Sequence, residues 1–253
     1  MDLIAVQSVR VARSRDDLAL TPGEAVIGGG TWLYSEEQDH VTGVVDLLGM
    51  PWQPVTRSAS TLTISATCTI ETLRNLPDSP LFLQCADALL ASWKIQRIAT
   101  VGGNIALSLP AGPMTSLAVA LDATLLLWTA TAERRVPAAD FVTDVQTNVL
   151  AWGEVIRAIE IPLDSLGRSG FRRIALSPLG RTGTLVIARS GLFTISGGTR
   201  HPHQLRFDNW PSAEALLAAL DAIDDWYDDA HGSPDWRQAM SRRFALQLLE
   251  ELA

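Results

Sequence analysis

The sequence predicts an α+β protein that ends in a small antiparallel sheet of three to four strands packed with helices. Three observations carry that expectation. Short strand-like runs alternate with helical periodicities up to Pro162. A polar, glycine-containing connector at 163–169 then marks a boundary near residue 165. Beyond it, strand-length runs stand close together and are followed by helices to the end of the chain.

Taken in order, residues 25–27 form a short apolar run that stops at Gly28-Gly29-Gly30-Thr31, and residues 44–47 read as a second short strand. Residues 61–66 alternate as Thr-Leu-Thr-Ile-Ser-Ala, the pattern of a half-buried strand. Thr69 can cap a helix whose first turn holds Glu71, where the helix dipole favours an acid. Ser79-Pro80 opens the next helix, with Pro at the first helical position. Leu83, Ala86, Leu90 and Trp93 recur on its expected apolar face. Gly102-Gly103-Asn104 should interrupt the helical pattern across 98–108, which resumes at 114–121. Residues 123–128 form a continuous apolar run, expected as a buried strand. Residues 155–161 alternate and are closed by Pro162. Strand candidates follow at 172–176, 184–188 and 192–195, and a Gly197-Gly198 turn should lead into 204–207. The last helix opens at Ser233-Pro234-Asp235, and Trp236, Met240, Phe244 and Leu248 should line its core face.

The 253 residues suit one large domain or two to three small ones. With 47% hydrophobic and 19% charged residues, the composition is that of a globular protein. A net charge of −8 repels phosphate backbones and argues against nucleic-acid partners. The acids between Asp221 and Asp229 read first as a solvated surface, with a docking patch for a basic partner as the alternative. No apolar run approaches the ~20 residues of a membrane span, and no secretory signal is legible. The expected location is the cytoplasm.

Cys68 and Cys85 form no CxxC pair, so neither a disulfide framework nor a cluster site of about four ligands is expected. Cys85 reads as a small core hydrophobe. His201-Pro202-His203 lacks a third ligand in the sequence, so no metal is expected there. No G-x-S-x-G elbow accompanies the serines, and Asp224-Asp225 point apart on a helix, so no catalytic residue is assigned. Trp32 and Trp93 are read as packing residues.

Two glycine segments remain. One is Val26-Ile27-Gly28-Gly29-Gly30-Thr31-Trp32-Leu33, and the other is Thr100-Val101-Gly102-Gly103-Asn104, about seventy residues later. Without a Cβ the backbone approaches a ligand closely, and successive N–H groups form a concave donor site for a diphosphate. Thr31, Thr100 and Asn104 add side-chain donors. Neither segment is GxGxxG leading into a helix, and neither continues as GK[ST], so Rossmann and P-loop assignments fail on spacing.

The wording of these segments resembles the medium, flavin-carrying subunit of the xanthine dehydrogenase and carbon monoxide dehydrogenase family of molybdenum hydroxylases. The likeness rests on residues 27–33, on Ile95-Gln96-Arg97-Ile98-Ala99-Thr100-Val101-Gly102-Gly103-Asn104, on Ser108-Leu109-Pro110 and 118–123, on 154–162, and on 234–252. It implies a two-lobed FAD-binding domain of the PCMH type at 1–165 (lobes about 1–50 and 51–165) and a sheet-plus-helix domain at 166–253. Carried over residue by residue, it places FAD on Val26 through Leu33, on Thr100 through Asn104 and on Ser108, with a backbone or apolar contact near Ile156 and a cationic one at Arg173. The family's acid in the second segment is replaced by Pro113, and a basic residue by Ser177. The resemblance also implies a large molybdenum-cofactor subunit and a small iron–sulfur subunit as partners, in a heterotrimer or a dimer of heterotrimers. Electrons would pass from the clusters to FAD and on to NAD, a quinone or oxygen. A flavin-free structural subunit and a stand-alone FAD oxidase are the alternative readings.

Overall fold

The computed structural model describes residues 3–253. Its first sheet holds β1 (Ser8–Val11), β2 (Glu24–Ile27) and β3 (Gly43–Asp46), all parallel, in the order β1-β3-β2. β1 escapes the sequence pattern because Val9 and Val11 are exposed on an edge strand. Arg10 and Glu24, from the two outer strands, pair at 2.7 Å. A Cβ on Gly43 would lie 3.0 Å from Glu24 Cγ, so the central strand leaves room for that pair.

The second sheet is antiparallel. It comprises β4 (Val55–Arg57), β5 (Thr61–Ser65), β6 (Thr124–Trp128), β7 (Glu133–Pro137) and β10 (Val155–Pro162), in the order β4-β5-β10-β6-β7. The hairpin β8 (Val142–Asp144) and β9 (Thr147–Asn148) stands beside it. β6 is not wholly buried as expected: Leu125 and Leu127 face inward at 0% exposure, while Leu126 and Trp128 are half-buried on the other face. Between Ile156 and Ala158 the register of β10 shifts. This bulge re-aims Arg157 to stack on Trp52 and Trp128, its carbon 4.5 and 5.3 Å from the ring centres.

Five helices lie between β5 and β6: α1 (Ile70–Arg74), α2 (Pro80–Ala88), α3 (Trp93–Ile98), α4 (Val101–Ala106) and α5 (Pro113–Ala120). The Thr69 and Ser79 caps form as expected. The expected apolar face of α2 is displaced. The buried residues are Leu81, Phe82, Cys85 and Ala86, while Leu83, Leu90 and Trp93 are exposed. Leu90 takes a φ of +54°, which ends the helix before Trp93 can join its face. Gly102-Gly103-Asn104 also corrects the expectation: these residues lie inside α4, and the break falls at Ala99-Thr100.

The last sheet is the meander β11 (Gly170–Ile174), β12 (Thr184–Arg189), β13 (Leu192–Ser196) and β14 (His203–Arg206). β12 and β13 are buried at every residue because α5 covers one face and α7 (Pro234–Leu252) the other. A second core joins Val186, Ala188, Phe193 and Ile195 to α7 and to α6 (Ala213–Asp221). Ser190-Gly191, both with positive φ, makes the tight β12–β13 hairpin. Gly197-Gly198 instead opens a longer loop over 197–202. On α7, Phe244 and Leu248 are core, but Trp236 and Met240 are only half-buried. Arg237 is buried among them, donating to the carbonyls of Gly183, Gly197 and Gly232 and pairing with Asp229. No helix among the described residues is long and apolar enough to cross a membrane.

Candidate functional site

A groove of about 630 Å³ runs between the first sheet, the helical layer and the loop before β12. That volume lies within the range of about 300–1,000 Å³ usual for ligand clefts. Its floor is the junction of the two glycine segments. A Cβ on Gly29 would lie 1.8 Å from the Ile98 carbonyl oxygen, and one on Gly28 would lie 2.6 Å from Thr100 Oγ1. Backbone therefore lies against backbone at a distance no side chain tolerates. Gly30 takes a φ of +65°, which turns the chain towards Thr31 and Trp32.

The segments differ in their hydrogen bonding. Among the described residues, the amides of Gly28, Gly29, Gly30, Thr31 and Trp32 donate to no acceptor. In the second segment every amide from Val101 to Asn104 has a partner. Val101 N donates to Cys68 O and Gly102 N to Ala66 O, both at 2.9 Å. Gly103 N donates to the Thr100 hydroxyl at 3.1 Å, and Asn104 N to the Thr100 carbonyl at 3.0 Å. The second segment's donors are thus side chains. Thr100 Oγ1 accepts from Gly103 and keeps its own proton to give. Asn104 Oδ1 accepts from Met114 N at 3.1 Å, which fixes the amide and leaves its Nδ2 beside the groove.

Val26, Ile27, Gly28, Gly29, Gly30, Thr31, Trp32, Leu33, Thr100, Gly103 and Asn104 line the groove together. Val101 and Gly102 lie behind it, Gly102 so close to Ala66 that a Cβ would sit 2.5 Å from that residue's Cβ. Ser108 is buried with a φ of +52° and holds the turn after α4, accepting from Asn148 Nδ2 at 3.0 Å. Ile156 is in the core. Arg173 lies one layer back, donating to Thr182 Oγ1 at 2.7 Å and to Gly180 O at 2.6 Å. It therefore props the loop that brings Arg181 and Thr182 to the groove. Sequence reasoning passed over Arg181. The signal was present in Gly180-Arg181-Thr182-Gly183, an arginine flanked by glycines between two strands. Pro113 is buried at the first position of α5, and the lining stops one residue short of it, at Gly112.

Among the described residues, Arg181 is the cation of the lining and no carboxylate shares it. In a chain of net charge −8, this makes the groove a local site for an anion. The first sheet is anchored electrostatically. The hydrogen bond from Arg10 holds the Glu24 carboxyl down at about 2 despite the opposing effect of burial. Cys68 is buried behind α4, and burial pushes its thiol up to about 12; burial raises Cys85 as well. Neither is a ready thiolate.

Residues 7–164 match the family described as the FAD binding domain in molybdopterin dehydrogenase. Similar solved structures include quinoline 2-oxidoreductase from Pseudomonas putida 86, at 20% identity and a TM-score of 0.81 over 99% of both chains. Another is carbon monoxide dehydrogenase from Hydrogenophaga pseudoflava lacking the Mo-pyranopterin moiety, at 19% identity and a TM-score of 0.82, covering 97% of this chain and 96% of that one. Reconstituted CO dehydrogenase from Oligotropha carboxidovorans gives the same identity, TM-score and coverage. No curated protein matches the sequence.

Proposed function

The chain belongs to the family of FAD-binding domains of molybdopterin dehydrogenases, and from that premise we propose that it is the flavin-carrying subunit of a multi-subunit molybdenum hydroxylase. The observation that carries this reading is the convergence of the two glycine segments on one groove, with a row of amides on one side that have no partner among the described residues.

A dinucleotide fits those residues. Its diphosphate needs several N–H donors at close range, and Gly28 through Thr31 offer them, held in place because Gly28 and Gly29 pack against Thr100 and Ile98 where a Cβ would clash. Thr100 and Asn104 add a hydroxyl and an amide, and Arg181 compensates charge. Val26, Ile27, Leu33, Ala88 and Ile95 supply apolar wall for ring systems. When bound, FAD supplies the redox chemistry, taking electrons singly or in pairs. The chain's own part is to hold the cofactor, exclude water from it and present it to partners.

Electrons would come from iron–sulfur clusters in a small subunit, after substrate oxidation at molybdenum in a large subunit. An external acceptor, NAD, a quinone or oxygen, would then take them. Two cysteines fall short of the about four ligands of an iron–sulfur cluster, which supports clusters in a partner. The domains proposed at 1–165 and 166–253 place the groove mainly in the first and let the second contribute Arg181.

The reading is tested by purifying the chain and recording its visible spectrum. The expected outcome is flavin absorption, with one FAD per chain released on denaturation. A protein that neither carries FAD nor takes it up would leave the flavin-free subunit, the reading that Pro113 and Ser177 favour. Co-purification with a molybdenum-containing chain separates the subunit reading from a stand-alone oxidase.

A further inference from the structure

His201 and His203 flank Pro202 at the start of β14, away from the groove lining. His201 sits at the bend that ends the 197–202 loop and His203 opens β14, and the two imidazoles lie 4.3 Å apart, centre to centre. The third group comes from the connector between α6 and α7. Asp225 Oδ1 is 2.6 Å from His203 Nε2, and Oδ2 is 3.5 Å from His201 Nε2. The carboxylate is oriented by the backbone amides of Arg200 and His201, at 3.2 and 3.4 Å. The Arg200 guanidinium is turned to Asp144, at 2.8 Å.

His201 Nδ1 lies 3.2 Å from the Pro202 carbonyl oxygen, an acceptor placed to hold a hydrogen on Nδ1 and leave Nε2, on the Asp225 side, free to ligate. An Nδ1–H to carbonyl bond is the usual outer support of a metal-ligating histidine. His203 Nε2 is in hydrogen-bond contact with Asp225 Oδ1 at 2.6 Å, so a metal ion would take the place of the proton between them.

We propose that His201, His203 and Asp225 bind one divalent transition-metal ion of the zinc and cobalt class. Two imidazole nitrogens and a carboxylate oxygen suit those ions, whereas magnesium and calcium prefer oxygen alone. The three ligand atoms lie within 4.8 Å of one another. Bonds of about 2.0–2.2 Å to one ion require the 2.6 Å His203–Asp225 contact to open, and solvent completes the shell. The ion ties the 197–202 loop to the α6–α7 connector. These segments already meet through the Thr199–Trp226 bridge and the bond from Tyr227 N to Gly198 O at 2.9 Å. Tyr227 lines a smaller recess that shares Trp32 and Arg181 with the main groove, so the ion would steady a segment next to both.

The test uses the full chain, stripped by a chelator and titrated with Co²⁺ and then Zn²⁺. The expected result is a saturable ligand-field absorption at one Co²⁺ per chain, discharged by Zn²⁺. The thermal midpoint should rise with either ion, and both effects should be lost on acidification as protons displace the metal. His201→Ala, on a half-exposed loop residue, should abolish both while leaving flavin content unchanged. Asp225→Asn serves as a second variant should the first fold poorly. Absence of the band in the folded chain overturns the site. So does a band that survives in folded His201→Ala/His203→Ala, which would assign it to His40 or His231.

Discussion

Residues 28–31 and residues 100–104 are both glycine-rich and both border the groove, yet they are built in opposite ways. The first follows β2, and its amides have no partner among the described residues. The second begins α4 and commits every amide from Val101 to Asn104 to neighbouring oxygens. Glycine is needed in the first so that backbone can face a ligand and lie on Ile98. At Gly102 it is needed so that a helix can lie on Ala66. A glycine-rich segment is therefore a donor row only where its amides have no other acceptor. Elsewhere it is a packing device, and its ligand contacts come from the cap and side chains.

The largest expected effect comes from Gly29→Val beside Gly102→Val. The first puts a side chain where 1.8 Å separates a Cβ from the Ile98 oxygen, and FAD retention should be lost. The second crowds Ala66 and should lower the thermal midpoint, by about 1–3 kcal/mol of stability. Equilibrium flavin binding and thermal melts, run on both, would break the comparison if the two profiles coincide.

Thr100→Val comes next, because it touches both functions. The helix loses its cap, at about 0.5–2 kcal/mol, and the groove loses a hydroxyl. Thr100→Ser should restore both melting and flavin affinity. A valine variant that melts lower but binds FAD normally would confine Thr100 to the cap.

Arg181→Gln should weaken FAD about tenfold, equivalent to about 1.4 kcal/mol, with no change in melting of the flavin-free chain. The difference between parent and variant should shrink as salt rises. Equal affinities at low salt would remove Arg181 from the site.

The smallest effect is the acid dependence of the first sheet. The Glu24 carboxyl is held at about 2, below its ordinary 4.5. A depressed carboxyl stabilises the fold above the unfolded value, and that contribution is lost as pH falls from about 4.5 to about 2. Flavin release followed in an acid titration should therefore be less steep over that window in Glu24→Gln than in the parent. Identical curves would detach Glu24 from the stability of the first segment.

The sequence by itself determined what is local. Caps at Thr69 and Ser79, the alternation of 61–66, the meander strands and the glycine segments follow from residues within a few positions of one another, where propensity and period act. It misjudged the face of α2 because Leu90 turns the chain with a positive φ, and it broke α4 because glycine inside a helix is ordinarily unfavourable. Only the tertiary structure decided that Gly29 meets Ile98, that Arg173 stands behind Arg181, and that Asp225 joins His201 and His203. Those pairings are made by distant segments meeting across packed sheets, and no short-range pattern records which of many chemically suitable partners the fold brings into contact.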